Sequence, residues 1–482
     1  MINFRIIARV FSLLLIFEGL FMLLSAAVSF IYQEAASTSF LYSALITIVT
    51  GIIIFTPFRN VERIFGHKEG YIIVTGIWII FSLFGTLPFL LSGSISSFGD
   101  AFFESMSGFT TTGATILTNI EAMPHGILFW RSLTQWLGGL GIIFISLSAF
   151  PFFKSINIQL TATEFAGQPT DKIHPRIRDA AKRLVTIYIL LTLAEVILLI
   201  IGGIPGFDAI CHSFSTLSTG GFSTRNGGIS SFASPYIMIV LTIFMFIAGT
   251  NLTLVYFGLK GNFKKIFGNN EFFFYTLICL IFALIVSFVL LSKSGISFGK
   301  AILEGTFHVV SIVTTTGFYT QNYNLWGYTI IILLFILMFT GGTAGSTSGG
   351  IKVVRLLLIT KNSRQELKRL IHPSAFIPVR LGKHTVAQNI IFNLLVFITL
   401  YFLFMCFGTL IISSMGYDII TSFSTSASML GNIGPGLGSF GPFTNYSTVP
   451  MAGKWFLSGL MLLGRLELLT VLILFTRNFY KN

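Results

Sequence analysis

The sequence predicts an all-α membrane protein in which four pseudo-symmetric helix, re-entrant loop, helix repeats follow two extra N-terminal transmembrane helices. Composition is the first reason: 54% of the 482 residues are hydrophobic and 10% charged, where a soluble domain carries about a quarter charged residues. Mean hydropathy is +0.85. The second reason is a set of ten apolar runs, most reaching the roughly 20 residues that a helix needs to cross a bilayer core. The third is four shorter apolar stretches, near 99–112, 207–220, 301–316 and 418–433. These are too short to cross and too apolar for exterior loops, so they read as re-entrant segments.

The first run, Val10 to Ile31, follows Arg5 and Arg9. It is too long for a signal-peptide core of about 7–15 residues and reads as a spanning helix. A second run at 39–57 completes a pair outside the repeats. From residue 70 the spans are 70–92 and 126–150, then 182–204 and 234–259, then 271–292 and 326–360, then 384–414 and 452–476. One half-span falls inside each pair, which is an internal repeat. The expected units are 1–69 for the extra helices and 70–180, 181–268, 269–382 and 383–482 for the four repeats around one pore.

A net charge of +13 raises the question of a nucleic-acid partner, but the basic residues sort by side of the membrane. Of the 30 Lys and Arg, 24 fall in 1–9, 57–69, 151–183, 260–270, 352–383 and 477–482. All of these segments belong to one face if each re-entrant loop returns to the side it entered, and the positive-inside rule makes that face cytoplasmic, with the N-terminus on it. Arg225, Lys293, Lys300 and Lys454 fall on or near the other face. Membrane lipid is therefore an expected partner and nucleic acid is not. Cys211, Cys279 and Cys406 show no CxxC spacing and the seven histidines are scattered, so no metal-ligand cluster is expected.

The half-spans align without gaps on Gly113, Gly221, Gly317 and Gly434. Six positions earlier stand Ser107, Ser215, Ser311 and Ser428; four earlier stand Phe109, Leu217, Val313 and Leu430; thirteen earlier stand Asp100, Asp208, Glu304 and Thr421. An acidic or polar residue there is expected to open a short helix and complement its positive end. The carbonyls after the helix then face a central axis, where they can replace the lost waters of a dehydrated cation. The expected ion-lining residues are Thr111, Thr112 and Gly113; Thr219, Gly220 and Gly221; Thr315, Thr316 and Gly317; Asn432, Ile433 and Gly434. One Thr-Thr-Thr-Gly alone reads as a helix-ending turn. Four in register, each between two spans, read as a filter.

The eighth span contains Thr340-Gly-Gly-Thr-Ala-Gly-Ser-Thr-Ser-Gly-Gly350. Glycine costs a helix interior about 1 kcal/mol per site relative to alanine, and irregular backbone at membrane depth must be buried in protein or line a cavity. The run therefore predicts a mobile intramembrane loop containing Gly341, Gly342, Thr343, Gly345, Ser346 and Gly349. The alternative is helix packing through Gly341, Gly345 and Gly349 at small-xxx-small spacing. Arg465 lies at matching depth in the last span and is expected to face the pathway beside this loop, because a mid-membrane arginine needs a cavity or a partner. Glu467, two residues on, points to another side of a helix. Arg131 is expected to be an interfacial or packing residue.

Over essentially its whole length the chain resembles the TrkH/TrkG/KtrB superfamily of bacterial potassium uptake proteins. The supporting residues are Thr110-Thr-Thr-Gly-Ala-Thr115, Leu217-Ser-Thr-Gly-Gly-Phe-Ser223, Thr314-Thr-Thr-Gly-Phe318, Gly431-Asn-Ile-Gly-Pro-Gly436 and Gly464-Arg-Leu-Glu467. The two extra N-terminal spans favour the TrkH branch. The resemblance implies potassium ion uptake across a bacterial inner membrane, with one shared glycine per repeat and the 341–349 loop as gate. Potassium preference is expected to be weaker than in tetrameric channels, because Ala114, Phe222, Phe318 and Pro435 follow the glycines. It also implies a homodimer, each protomer with its own pore, and a TrkA-type cytosolic regulatory subunit that binds nucleotide, for which 151–183 and 352–383 offer docking surfaces.

No nucleophile, base and orienter constellation is present, so an enzyme is not expected. Gly436-Leu-Gly-Ser-Phe-Gly441 matches GxGxxG without a strand-to-helix context, and Asn445-Tyr-Ser447 is a glycosylation sequon only in a eukaryotic source. The rival function is a sodium- or proton-coupled potassium symporter with alternating access, typically built on inverted repeats. The repeats here run in the same direction, which favours one axial path and leaves coupling open. A degenerate, non-conducting receptor is the third reading, and the intact register weighs against it.

Overall fold

The computed structural model describes residues 2–60, 66–148, 173–232, 234–294, 296–375, 377–382 and 384–481. The architecture is all-α; the strand pairing among the described residues is the two-residue hairpin Arg380–Leu381 with His384–Thr385 and a single parallel bridge between Thr340 and Ile351. Helices α1 (Phe4–Ile31) and α2 (Ala36–Phe58) pack as an antiparallel pair. Small residues allow the approach: a Cβ on Gly51 would come 2.9 Å from the Ser12 carbonyl of α1. Their outer turn is fastened to the core by Glu34, whose carboxylate accepts from His125 N at 2.6 Å and Gly126 N at 3.1 Å.

The repeats follow in chain order. In the first, α3 (His67–Phe84) and α4 (Leu87–Leu91) lead to the short α5 (Phe98–Phe109) and then α6 (His125–Ser148). In the second, α7 (Ile173–Ile201) leads to α8 (Gly206–Leu217), α9 (Pro235–Ala248) and α10 (Leu252–Leu259). After the small α11 (Phe263–Phe267), the third runs α12 (Asn270–Ser294), α13 (Phe298–Val313), α14 (Tyr328–Leu337) and α15 (Val353–Ile371). The fourth runs α16 (Gln388–Ser414), α17 (Ile419–Gly431), α18 (Met451–Arg465) and α19 (Leu469–Leu472). Helices α5, α8, α13 and α17 have 12 to 16 residues, so at about 1.5 Å per residue they stop short of a crossing.

Beyond the short turn at Gly85 and Thr86 between α3 and α4, which leaves one spanning unit, three expected spans are sharply bent or broken. Among the described residues six helices are long and apolar enough to cross alone, and the pairs α9–α10 and α18–Phe475 are bent by 112° and 109°. The first bend falls at Gly249–Asn251, where the Asn251 side chain starts α10 afresh by accepting from Thr253 N at 2.8 Å. The second follows left-handed Glu467 and Leu468, with φ of 59° and 39°. The expected 326–360 span ends at Leu337 and is irregular until Val353, as its glycine content requires.

The helix-opening pattern also differs in part from expectation. Asp100 and Asp208 do sit in the first turns of α5 and α8. Glu304 instead lies inside α13, and α17 is capped by Asp418, whose carboxylate accepts from Thr421 N at 3.2 Å. The chain ends share one face: Asn3 N donates to Glu69 at 2.8 Å, and Lys68 Nζ to the Lys481 carbonyl at 2.6 Å. Residues 149–172, which carry much of the expected 151–183 docking surface, lie outside the described residues.

Candidate ion pathway

Each short helix ends in the same backbone motif. The N–H one position before the shared glycine donates back to the serine six before it: Thr112 to Ser107, Thr316 to Ser311 and Ile433 to Ser428 at 2.9 Å, and Gly220 to Ser215 at 2.8 Å. The residue two before the glycine is left-handed in every repeat, with φ of 52° at Thr111, 54° at Thr219, 58° at Thr315 and 54° at Asn432. This is a Schellman-type helix end. An L-residue pays about 1–2 kcal/mol for that conformation, and a β-branched threonine rarely adopts it at all.

The glycines follow at φ of 82°, 79°, 78° and 98°. A Cβ on Gly113 would collide with the Gly220 carbonyl oxygen, one on Gly221 with that of Thr316, and one on Gly317 with that of Ile433. One on Gly434 would sit 2.5 Å from the carbonyl oxygen of Thr112. Every glycine therefore faces the carbonyl one position before the next repeat's glycine, and the fourth closes on the first. Eight of the twelve expected residues, Thr112 and Gly113, Gly220 and Gly221, Thr316 and Gly317, and Ile433 and Gly434, thus meet in one ring in cyclic sequence order. A cavity lined by all four glycines opens above it.

Side chains that the sequence reading did not single out hold this ring. Gln135 of α6 donates to the Gly220 carbonyl at 2.7 Å and accepts from Phe222 N at 3.1 Å. Tyr446 donates to the Gly434 carbonyl at 2.9 Å. Nine positions before the glycine, Glu104 accepts from Ile116 N at 2.9 Å, His212 bonds Ser223 Oγ at 2.9 Å, and His308 accepts from Thr320 N at 3.4 Å. That recurring polar position was a readable signal. Arg131 is not interfacial: buried at 2% exposure, it pairs with Glu104 at 2.6 Å, donates to the Ser223 carbonyl at 3.1 Å and lies 3.9 Å over the Phe222 ring. Two of the basic residues expected on the face opposite the N-terminus are neutralised, Arg225 by Asp208 at 2.6 Å and Lys454 by Asp100 at 2.7 Å.

Below the ring, residues 338–352 form an irregular loop rather than a packed helix, which removes the small-xxx-small alternative. Gly349 N donates to Thr315 Oγ1 at 2.7 Å, tying the loop to a left-handed residue of the ring. Thr343 N donates to the Gly249 carbonyl at 2.9 Å, and Asn251 Nδ2 to the Ala344 carbonyl at 2.6 Å, so the loop occupies the bend between α9 and α10. Gly341, Gly342, Thr343, Ser346 and Gly349 are buried, whereas Gly345 is exposed with a φ of 79°.

Arg465 ends α18 and is buried beside this loop. It donates to the Thr347 carbonyl at 2.8 Å and to the Gly138 carbonyl at 3.3 Å. Glu467 does not pair with it; the left-handed turn sends Glu467 to Arg355 at 2.5 Å. A further anchor from outside the loop is Glu271 at the start of α12, which accepts from Ala344 N at 2.6 Å. Glu271 and Asn251 were absent from the sequence reading, because each meets the loop through a partner far away in sequence, Ala344.

Three comparisons place this geometry among known proteins. Residues 36–480 match the family model TrkH, described as a cation transport protein. The chain is 38% identical to the Trk system potassium uptake protein TrkH of Salmonella typhimurium strain LT2, with all of both chains covered. It is 34% identical to the Trk system potassium uptake protein TrkG of Escherichia coli K12 over 86% of each chain. It superposes on the crystal structure of the potassium transporter TrkH from Vibrio parahaemolyticus with a TM-score of 0.92 and 35% identity, over the whole of both chains.

Proposed function

The chain belongs to the TrkH family of cation transport proteins, and on that premise we propose that it takes up potassium through the ring closed by Gly113, Gly221, Gly317 and Gly434. The observation that carries the proposal is the cyclic facing of each glycine onto the preceding carbonyl of the next repeat. Carbonyl oxygens from four segments can then replace the water around a potassium ion, which is the transported substrate. Same-direction repeats around one ring support a continuous axial path. Weak discrimination against sodium is in keeping with the short ring, since no second glycine is shared after it.

The gate is the 338–352 loop, with Arg465 as its latch and as a positive charge beneath the filter. Support comes from the loop's position, bonded at once to Thr315 of the ring and to two helix breaks, at Gly249 and at Arg465. Opening withdraws Gly349 from Thr315 and needs the Arg465 and Glu271 bonds to break.

The protein is multi-pass, and we assign it to a bacterial inner membrane with the N-terminus in the cytoplasm. The grouping of Asn3, Lys68 and Lys481 on one face supports this, together with the basic bias of that face. The relatives' designation as Trk system proteins supports assembly with further components. We place a TrkA-type nucleotide-binding subunit on the cytoplasmic face and two protomers side by side, each with its own pore. The test is tracer flux in proteoliposomes: potassium and rubidium enter faster than sodium, and equal entry of all three overturns the filter reading.

A further inference from the structure

Two cations meet the tip of the glycine-rich loop, Arg465 and Lys352. The base of the loop is closed by its own backbone: Gly341 N donates to the Ile351 carbonyl at 2.8 Å, Val353 N to the Gly342 carbonyl at 3.1 Å and Ile351 N to the Phe339 carbonyl at 3.3 Å. The tip is held by other groups. The Thr347 carbonyl accepts from Arg465, the Ser348 carbonyl accepts from Lys352, and Gly349 N donates to Thr315 Oγ1 just below the ring. Three successive residues are thus pinned, and the first two each present a carbonyl to a cation.

Lys352 stands at the end of the loop, as the residue before α15. Its ammonium turns back four residues to Ser348, donating to the carbonyl and, at 3.1 Å, to the hydroxyl. That hydroxyl also accepts from Gly342 N and bonds Ser346 Oγ, both at 2.8 Å. Among the described residues no backbone N–H takes the Ser348 carbonyl, so the lysine satisfies it. A lysine stem is long enough to carry its charge to water, and a charge kept at membrane depth is costly and marks a functional place. Arg355 and Arg465 are its like-charged neighbours, and the two nearby carboxylates are bonded elsewhere, Glu271 to Ala344 N and Glu467 to Arg355. The ammonium's own partners are therefore the two oxygens of Ser348.

We propose that Lys352 is a positioning residue that clamps Ser348 and so keeps Gly349 against Thr315. The clamp deepens the assignment of this loop as the gate and rests on it. Arg465 pins the tip from α18 and Lys352 from the start of α15, so the tip lifts only when both cations let go. Neither replaces the other, because the first takes the Thr347 carbonyl and the second takes the Ser348 carbonyl with the hydroxyl that Gly342 uses.

The test uses the full chain in lipid nanodiscs, with amide hydrogen exchange read residue by residue by mass spectrometry, and the same variants in proteoliposomes for rubidium uptake. Lys352→Met keeps the stem and removes the charge. With a charged hydrogen bond lost, exchange at Gly342 and Gly349 should quicken at least about tenfold, while Gly341 and Ile351 at the base keep their rates and uptake rises. Lys352→Gln, a milder change that retains a neutral donor, should move both readouts the same way by less. Lys352→Arg, which keeps the charge and its donors, should return both toward the unmutated protein. Unchanged exchange at Gly342 and Gly349 in the Met and Gln variants overturns the clamp. Equal quickening at tip and base with lowered uptake overturns it in favour of a lysine that only supports the fold. Quickening confined to the tip with unchanged uptake upholds the clamp and overturns the loop as gate, so the two failures are told apart.

Discussion

Replacing Arg465 by glutamine should raise ion flux, and the size of the effect follows from its contacts. Its N–H to the Thr347 carbonyl is short at 2.8 Å, while the second donor reaches the Gly138 carbonyl only at 3.3 Å. A hydrogen bond from a charged donor contributes about 1.5–3 kcal/mol, so the closed loop loses about 2 kcal/mol with one strong bond removed. At about 1.4 kcal/mol per factor of ten, the ratio of open to closed loop rises roughly 30-fold. The loop keeps its bonds to Gly249, Asn251, Glu271 and Thr315, so it is loosened rather than lost. Removal of the positive charge from the pathway acts in the same direction. Rubidium uptake into proteoliposomes measures the change. Adding Gly434→Ala to Arg465→Gln should return uptake to background, which shows that the added flux passes through the ring. Uptake by Arg465→Gln indistinguishable from the unmutated protein, at equal incorporation, refutes the latch.

Four other outcomes are expected. Gly434→Ala alone should cut rubidium uptake at least about tenfold, because a Cβ there meets the Thr112 carbonyl and alanine tolerates a φ of 98° poorly; unchanged uptake would separate the ring from conduction. Arg131→Met should lower thermal stability in detergent by about 3–5 kcal/mol, since Glu104 is left buried and unpaired, and Arg131→Met with Glu104→Leu should recover part of the loss. Gln135→Leu removes both bonds that fix the second segment and should lower the potassium to sodium flux ratio more than it lowers stability. At Glu34, outside the spans, burial works to raise the carboxyl pKa, yet N–H donation from Gly126 and His125 holds it below the usual range. Its contribution is therefore complete above the unfolded value of about 4.3 and is lost as pH falls through the lowered folded value. Thermal unfolding below about pH 4 should show the loss, and Glu34→Gln should show none.

The repeat architecture was legible because it rests on local sequence: run length sets which helices cross, and a fixed offset from each glycine sets where the short helices end. The ring residues were legible for the same reason, though not the left-handed Thr111, Thr219 and Thr315, since nothing in a threonine advertises a conformation it disfavours. Glu304 was misplaced because α13 is longer at its start than the other short helices; it begins at Phe298, which puts Glu304 past the first turn. The bends at Gly249 and Glu467 were hidden inside runs whose hydropathy alone reads as continuous. They arise from partners elsewhere in the chain, Ala344 for Asn251 and Arg355 for Glu467. Arg131 and Gln135 belong to the same class, because each is defined by contact with the second repeat.

The most direct question is whether the four-segment ring conducts potassium as a continuous path. Current through the purified protein in a planar bilayer, with potassium on one side and sodium on the other, measures this directly. A continuous path through the ring gives single-channel steps with a reversal potential displaced toward that of potassium. A reversal potential at zero, or tracer uptake without any current steps, would contradict it.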